Sequence, residues 1–134
     1  MTAAEWTTIR YFKPNEFDSK DAPGSGFSMM DYALVSRLDA LRAAWGAPLR
    51  VTSGYRTLAH NTAVGGVKDS AHLRGLAADL MTVDLKGAIK LAVVAGRIGF
   101  TRVGVDLKGK LVHVDVDLSL PNPAVWFYNE QVLA

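Results

Sequence analysis

The sequence contains no cysteine, which excludes disulfides, thiolate metal sites and a cysteine nucleophile together. Any bound metal therefore needs histidine or carboxylate ligands. Long apolar runs are missing as well, since no stretch approaches the roughly 18–20 residues that a membrane span requires. The N-terminal sequence lacks a basic segment followed by an apolar one, so we expect a chain made in the cytoplasm without a signal peptide and without membrane insertion.

Charge of one sign is not in large excess. The 15 lysines and arginines give a formal net charge of +2 against 13 acidic residues. The basic residues are scattered, whereas nucleic-acid binding requires a basic stripe, so we expect no nucleic-acid partner. A length of 134 residues with 49% hydrophobic residues suits one domain over residues 1–134. We expect this domain to be a monomer.

Apolar spacing predicts two helices. The first follows Ser28 and Asp31 and ends near Gly46. Its apolar residues recur at steps of three or four, as expected for one helix face, and are Met30, Leu34, Leu38, Leu41 and Trp45. The second helix is predicted at 86–97, with a buried face of Ile89, Ala92, Val93 and Ile98. Segments 12–27 and 54–71 are rich in turn-forming residues and are predicted as loops.

Three strands are predicted at 49–53, 102–106 and 110–117. In the last of these, three valines alternate with His113, Asp115 and Asp117, so the valines and the polar residues face opposite sides. The tail from Ser119 is predicted to pack over the domain edge. This order of elements predicts an α+β fold with a small, mainly antiparallel sheet and flanking helices.

Histidine is scarce, and only His60, His72 and His113 occur. His72 and Asp79 lie in the string S-A-H-L-R-G-L-A-A-D, and His113 comes from a predicted strand. Two imidazoles and one carboxylate form a common catalytic zinc set that leaves one coordination position open. Each of these residues also has a structural interpretation without a metal. His113 could be a histidine packed in the core, or His113 and Asp115 could lie on the solvated face of an edge strand. Arg56 could be a cation on the protein surface.

Four segments occur together in one order: T-S-G-Y-R-T at 52–57, H-N-T-A-V-G-G at 60–66, S-A-H-L-R-G-L-A-A-D at 70–79 and H-V-D at 113–115. This combination resembles the zinc D-Ala-D-Ala carboxypeptidase family. That family includes phage endolysin peptidases and shares its fold with the signalling domain of hedgehog proteins. The resemblance extends from Phe12 to Val116 and implies a fold of this type.

The resemblance implies a Zn2+ ion held by His72, Asp79 and His113. It implies that Arg56 contacts a substrate carboxylate or carbonyl and stabilises the developing oxyanion, for which a planar fork of donors is suited. It also implies that Ser70 lies beside the metal, where it binds substrate or orients a ligand. Asp115 is a candidate hydrogen-bond partner of the last ligand.

The sequence departs from the family pattern just before His113. Members of the family usually place an acidic residue or a histidine there as the general base, whereas this chain has Lys108 and Lys110. A lysine beside a metal ion is a cation and a poor base. We therefore hypothesise that Asp106 or Asp115 is the general base, with Asp115 favoured by its strand face.

The resemblance implies a zinc metallopeptidase that hydrolyses peptidoglycan stem peptides or cross-links. Carboxypeptidase cleavage of terminal D-Ala-D-Ala and endolysin-type endopeptidase cleavage are both open. The small size and the missing signal favour a phage-encoded enzyme that degrades the cell wall. The alternative is a catalytically weak or inactive zinc-containing module that binds peptidoglycan, which the missing base would suit. A structural domain in which these residues are incidental is the third interpretation.

Overall fold

A computed structural model describes residues 1–129 of the chain. The helices within these residues are α1 (Ala3–Thr7), α2 (Ser25–Met29), α3 (Tyr32–Trp45), α4 (Leu58–Ala63) and α5 (Leu85–Ile98), with 3-10 helices at Pro14–Phe17 and Ala71–Arg74. The strands are β1 (Val51–Ser53), β2 (Ala77–Met81), β3 (Arg102–Asp106), β4 (Leu111–Asp115) and β5 (Ala124–Tyr128). Across residues 1–129, every helix is too short or too polar to cross a membrane.

The strands form one sheet in the order β1-β2-β4-β3-β5. The pairs β1–β2, β2–β4 and β3–β4 are antiparallel, whereas β5 runs parallel to β3. The predicted α+β fold with flanking helices is therefore confirmed, and the sheet is mixed because the tail adds a parallel strand. Strand β4 lies in the middle of the sheet, and His113 and Asp115 are at most 1% exposed. The alternative that these two residues lie on the solvated face of an edge strand is therefore wrong.

Helix α3 forms where the apolar spacing predicts it, but it begins later. Its N-cap is Asp31, whose carboxylate accepts a hydrogen bond from the Ala33 backbone N–H at 2.8 Å. Ser28 belongs instead to α2. Gly46 ends the helix with φ of 78°, in the left-handed region that glycine adopts readily.

Helix α5 has nearly the predicted bounds, but its predicted buried face is only partly correct, since Ala92 and Ile98 pack against the core whereas Ile89 and Val93 do not. The residues that enter the core are Ala88, Leu91 and Ala95. Ile89 and Val93 are 42% and 50% exposed. The small alanines allow the helix to approach the sheet closely, which turns the larger β-branched residues towards its margin.

The predicted loops contain more structure than their turn-forming residues indicate. Segment 12–27 includes a 3-10 helix and the start of α2, and it buries Phe12 and Phe17 in the core. Segment 54–71 includes α4, whose N-cap Thr57 accepts a hydrogen bond from the His60 backbone N–H at 3.1 Å. Helices of six residues or fewer carry too little periodic pattern for detection.

The two faces of the sheet differ in chemistry. Val112 and Val114 belong to the hydrophobic core, where α3 and α5 pack. The intervening His113 points to the opposite face, as the alternation predicts. The 3-10 helix Ala71–Arg74 packs against β2, and the second face of the sheet holds a cluster of buried polar residues.

Candidate metal centre

His72, Asp79 and His113 come together on the polar face of the sheet. His72 lies in the 3-10 helix Ala71–Arg74, whereas Asp79 and His113 are direct partners in the β2–β4 ladder. Opposed residues on one face of a ladder bring their side chains into contact. One nitrogen or oxygen atom from each of the three lies within 4.8 Å of the others, and each residue is at most 3% exposed.

The turn that carries His72 is fixed at both ends. At its start, the Ser70 hydroxyl accepts a hydrogen bond from the His72 backbone N–H at 3.2 Å. At its end, Gly75 adopts φ of 70°, and a Cβ there would overlap the carbonyl oxygen of Met29. Ser70 thus lies beside the cluster and orients its first histidine.

Hydrogen bonds on the outer sides of the two rings assign their tautomers. His72 Nδ1 lies 2.7 Å from the carbonyl oxygen of Gly54, which only accepts, so Nδ1 carries a proton. His113 Nε2 lies 2.7 Å from Asp115 Oδ2 and donates to that carboxylate. In the neutral rings, the lone pairs are therefore on His72 Nε2 and His113 Nδ1.

These two lone pairs converge on one carboxylate oxygen. Asp79 Oδ1 lies 3.2 Å from His72 Nε2 and 2.9 Å from His113 Nδ1. Three acceptors directed at one another in a buried space are unfavourable unless a proton or a metal cation lies between them. Two imidazoles and one carboxylate with engaged outer nitrogens fit a zinc ion with one open coordination position.

The same contacts control protonation of the metal-free cluster. Burial opposes a charged His113, but hydrogen bonds to Asp115 and Asp79 outweigh it and raise the pKa of His113. Burial dominates at His72 and lowers its pKa. Burial also opposes a charged Asp79, but the two imidazoles, His72 foremost, hold the pKa of that carboxyl far below its usual range. The extra proton therefore resides on His113.

Zinc affinity is expected to increase with pH, because zinc must displace the proton on His113. That proton stabilises the metal-free fold below the ordinary histidine pKa of about 6.5, and its contribution is lost as the pH rises through the higher folded pKa. The Tm difference between zinc-loaded and metal-free protein should therefore widen from pH 6 to pH 8. Thermal unfolding of both forms at several pH values measures it, and a constant difference would contradict the expectation.

Arg56 is 2% exposed, so the alternative interpretation of this residue as a cation on the protein surface is wrong. Its Nη2 lies 3.2 Å from Asp79 Oδ2, the carboxylate oxygen turned away from the histidines. Its Nε donates to the Ser53 hydroxyl at 2.9 Å and its Nη1 to Asn61 Oδ1 at 3.2 Å. Arg56 therefore fixes the orientation of Asp79. A Cβ at Gly66 would overlap the Asn61 side chain, which explains that glycine.

Asp115 contacts His113 from behind. Its Oδ2 accepts the proton of Nε2, which is the ring nitrogen that does not face Asp79. Its Oδ1 accepts from Arg102 Nε at 2.8 Å and from the Asp117 backbone N–H at 3.1 Å. Both oxygens are engaged, and the contact fixes the ring of His113.

Asp106 lies at the end of β3 and is fully buried. Its two carboxylate oxygens each accept a backbone N–H at 3.1 Å, one from Lys108 and one from Lys110. The side chain thus closes the turn between β3 and β4. Of the two hypothesised bases, neither has a carboxylate oxygen free of such bonds.

Two cavities flank the cluster. One of about 420 Å³ contains Asp79 in its wall, together with the cationic Lys20 and Arg56 and with His60, which lies outside the metal cluster. The other, of about 200 Å³, contains His113 and two aromatic residues of β5, Trp126 and Tyr128. Neither aromatic was predicted as a site residue, although the β-branched and aromatic run AVWFY after turn-forming residues is the signal that would have predicted a strand there.

A sequence profile described as peptidase M15 matches residues 10–115. The chain belongs to the peptidase M15 family. The predicted family is thus confirmed, and the matched segment ends at Asp115, so it includes all three cluster residues and excludes β5. The chain is also similar to the zinc D-Ala-D-Ala carboxypeptidase of Streptomyces albus G, with 40% identity over 74 residues. That alignment covers 53% of this chain but only 29% of the relative, so the chain spans less than a third of its length.

Proposed function

We propose that the chain is a zinc peptidase that hydrolyses peptide bonds in peptidoglycan stem peptides. The observation that carries this proposal is the convergence of His72 Nε2, Asp79 Oδ1 and His113 Nδ1 in a buried cluster. When bound there, zinc supplies a Lewis acid for the scissile carbonyl and lowers the pKa of a coordinated water. The family and the name of the Streptomyces albus G relative support the choice of substrate.

The cavity beside Asp79 supports a free carboxylate as part of the substrate. Lys20 and Arg56 give its wall two cations. A basic cavity beside the metal ligands suits the C-terminal carboxylate of a peptide. We therefore favour carboxypeptidase cleavage of terminal D-Ala-D-Ala over endopeptidase cleavage of cross-links.

We assign Asp115 and Arg56 to positioning. Asp115 holds the ring of His113 in the tautomer that leaves Nδ1 available, and Arg56 holds Asp79 through Oδ2. Ser70 fixes the backbone of His72. Asp106 supports the turn before β4 with both of its oxygens. It is the less favoured candidate for the base because its described hydrogen bonds go to that turn, whereas Asp115 contacts the cluster residue His113.

The engaged carboxylates also support a second candidate function. If neither Asp106 nor Asp115 accepts a proton from water, the chain would bind zinc and peptidoglycan peptides with weak or no hydrolysis. The lysines before His113 fit this non-catalytic module as well.

The proposal also includes the domain organisation, the oligomeric state and the place of action of the chain. We propose that residues 1–134 act as one domain and as a monomer. Its peptidoglycan substrate requires action on the cell wall, outside the cytoplasm in which the chain is made. We also propose that a phage encodes the chain.

Metal analysis combined with mass spectrometry of digested peptidoglycan tests these proposals. We expect one zinc per chain and release of the terminal D-alanine, with no products from chelator-treated protein. New termini inside the stem or cross-bridge would indicate an endopeptidase instead. One zinc with intact peptidoglycan would favour the binding module, and a chain without zinc would contradict both.

A further inference from the structure

One row of residues crosses the sheet through the metal centre. Asp79 pairs with His113, His113 pairs with Gly104, and Gly104 pairs with Trp126 of β5. The rings of His113 and Trp126 lie 5.6 Å apart between centroids. A Cβ at Gly104 would lie within 2.7 Å of the Trp126 ring, so glycine leaves the space in which this ring sits. Strand β5 is therefore part of the site, although it lies beyond the segment that matches the family.

Tyr128 lies two residues after Trp126 and so faces the same side of the sheet. Its register partner is Asp106, and Tyr128 itself is 7% exposed. The side chain lines the cavity of about 200 Å³ that also contains His113 and Ser70. Because His113 is a residue of the metal cluster, Tyr128 shares a cavity wall with that cluster.

The Tyr128 hydroxyl is available for a ligand. Within residues 1–129, no hydrogen bond reaches it, while every fully enclosed side-chain nitrogen or oxygen has a partner. The hydroxyl is therefore not fully enclosed, and its side chain lines the cavity. An ordinary phenol is protonated at neutral pH, and burial, followed by the charges of Asp79 and Asp106, raises the pKa of Tyr128 further. The group is thus an O–H donor.

Resting on the proposed function, we propose that the Tyr128 hydroxyl is a catalytic hydrogen-bond donor to the scissile carbonyl oxygen of the bound peptide. The bond strengthens as negative charge develops on that oxygen, and the phenol keeps its proton throughout. Arg56 is less suited to this task because Ser53, Asn61 and Asp79 engage its nitrogens. The Tyr128 hydroxyl would add to the polarising effect of the metal on the carbonyl, from the cavity wall that also contains Trp126.

Tyr128→Phe tests the proposal because it removes only the hydroxyl. We expect kcat on an acetylated L-Lys-D-Ala-D-Ala peptide to fall by about 100-fold with little change in KM, the usual scale for losing one oxyanion donor. Zinc content and Tm should stay unchanged. The matched control is Tyr32→Phe, which removes an exposed phenol hydroxyl that lies 3.1 Å from the Thr8 hydroxyl, far along the chain from the cluster.

A second readout does not depend on turnover. A phosphinate isostere of D-Ala-D-Ala, which resembles the tetrahedral state, should bind zinc-loaded Tyr128→Phe at least about tenfold more weakly than wild type by calorimetry, a loss of 1.4 kcal/mol. Equal kcat and equal phosphinate affinity in the two proteins would overturn the role of Tyr128 alone. A wild-type chain that holds zinc but neither cleaves the peptide nor binds the phosphinate would overturn the proposed function and this inference with it.

Discussion

Replacement of His72 or His113 by alanine is expected to leave far less than one zinc per chain and no detectable peptide hydrolysis. Each variant removes one of three convergent ligand atoms from a buried cluster. Changes to the hydrogen-bond partners of metal ligands already cost roughly 10–100-fold in affinity, so we expect the loss of a ligand to cost on the order of a thousandfold or more. Elemental analysis after dialysis and an assay of D-alanine release measure the two effects.

His60→Ala is the matched control for both variants. His60 is the third histidine of the sequence, and it lies in the wall of the neighbouring cavity rather than in the cluster. This variant should keep its zinc. Circular dichroism would verify that all three variants fold. Full zinc occupancy in folded His72→Ala or His113→Ala would contradict the assigned ligand set.

Asp115→Asn is expected to weaken zinc binding by about 10–100-fold, because the carboxylate that fixes the His113 ring becomes an amide. Activity should recover substantially when zinc is added in excess, since the variant impairs metal retention more than chemistry. The amide also weakens the contact with Arg102, for which we expect a loss of about 1–3 kcal/mol in the free energy of unfolding. Zinc titrations followed by activity and urea unfolding measure these effects.

Asp106→Asn serves as the comparison for this experiment. Its side chain holds the β3–β4 turn, so we expect lower stability with an unchanged zinc affinity. A general base would behave differently from a positioning residue, because its loss would remove activity at full zinc occupancy. If Asp115→Asn stayed inactive in saturating zinc, Asp115 would be the base after all.

The sequence predicted the cluster better than its surroundings. His72, Asp79 and His113 could be selected because their residue types are restricted by metal chemistry and their spacing matches a family string. The α+β class followed from two helical periodicities and one alternating strand. These features depend on local patterns, which a single sequence displays directly.

Local patterns could not predict the burial of Arg56 or the hydrogen bonds of Asp115. Both depend on which segments meet in three dimensions: Arg56 reaches Asp79 across 23 positions and Arg102 reaches Asp115 across 13. Strand β5 was missed because its two prolines upstream and its exposed Val125 and Phe127 obscured a half-buried pattern. The buried face of α5 was only partly predicted because Ala88 and Ala95 enter the core with Leu91, whereas Ile89 and Val93 stay exposed.

The pairing of Asp79 with His113 has a consequence for folding kinetics. The two residues are 34 positions apart, and α5 and β3 lie between them in the chain. Pairings of such long sequence separation form slowly, and a one-residue slip in β4 would turn His113 away and expose Val112 and Val114. A complete ligand set therefore exists only after the correct register has formed. Interactions that are absent from the folding transition state slow unfolding rather than accelerate folding, so zinc would lengthen the lifetime of the native state without hastening its formation.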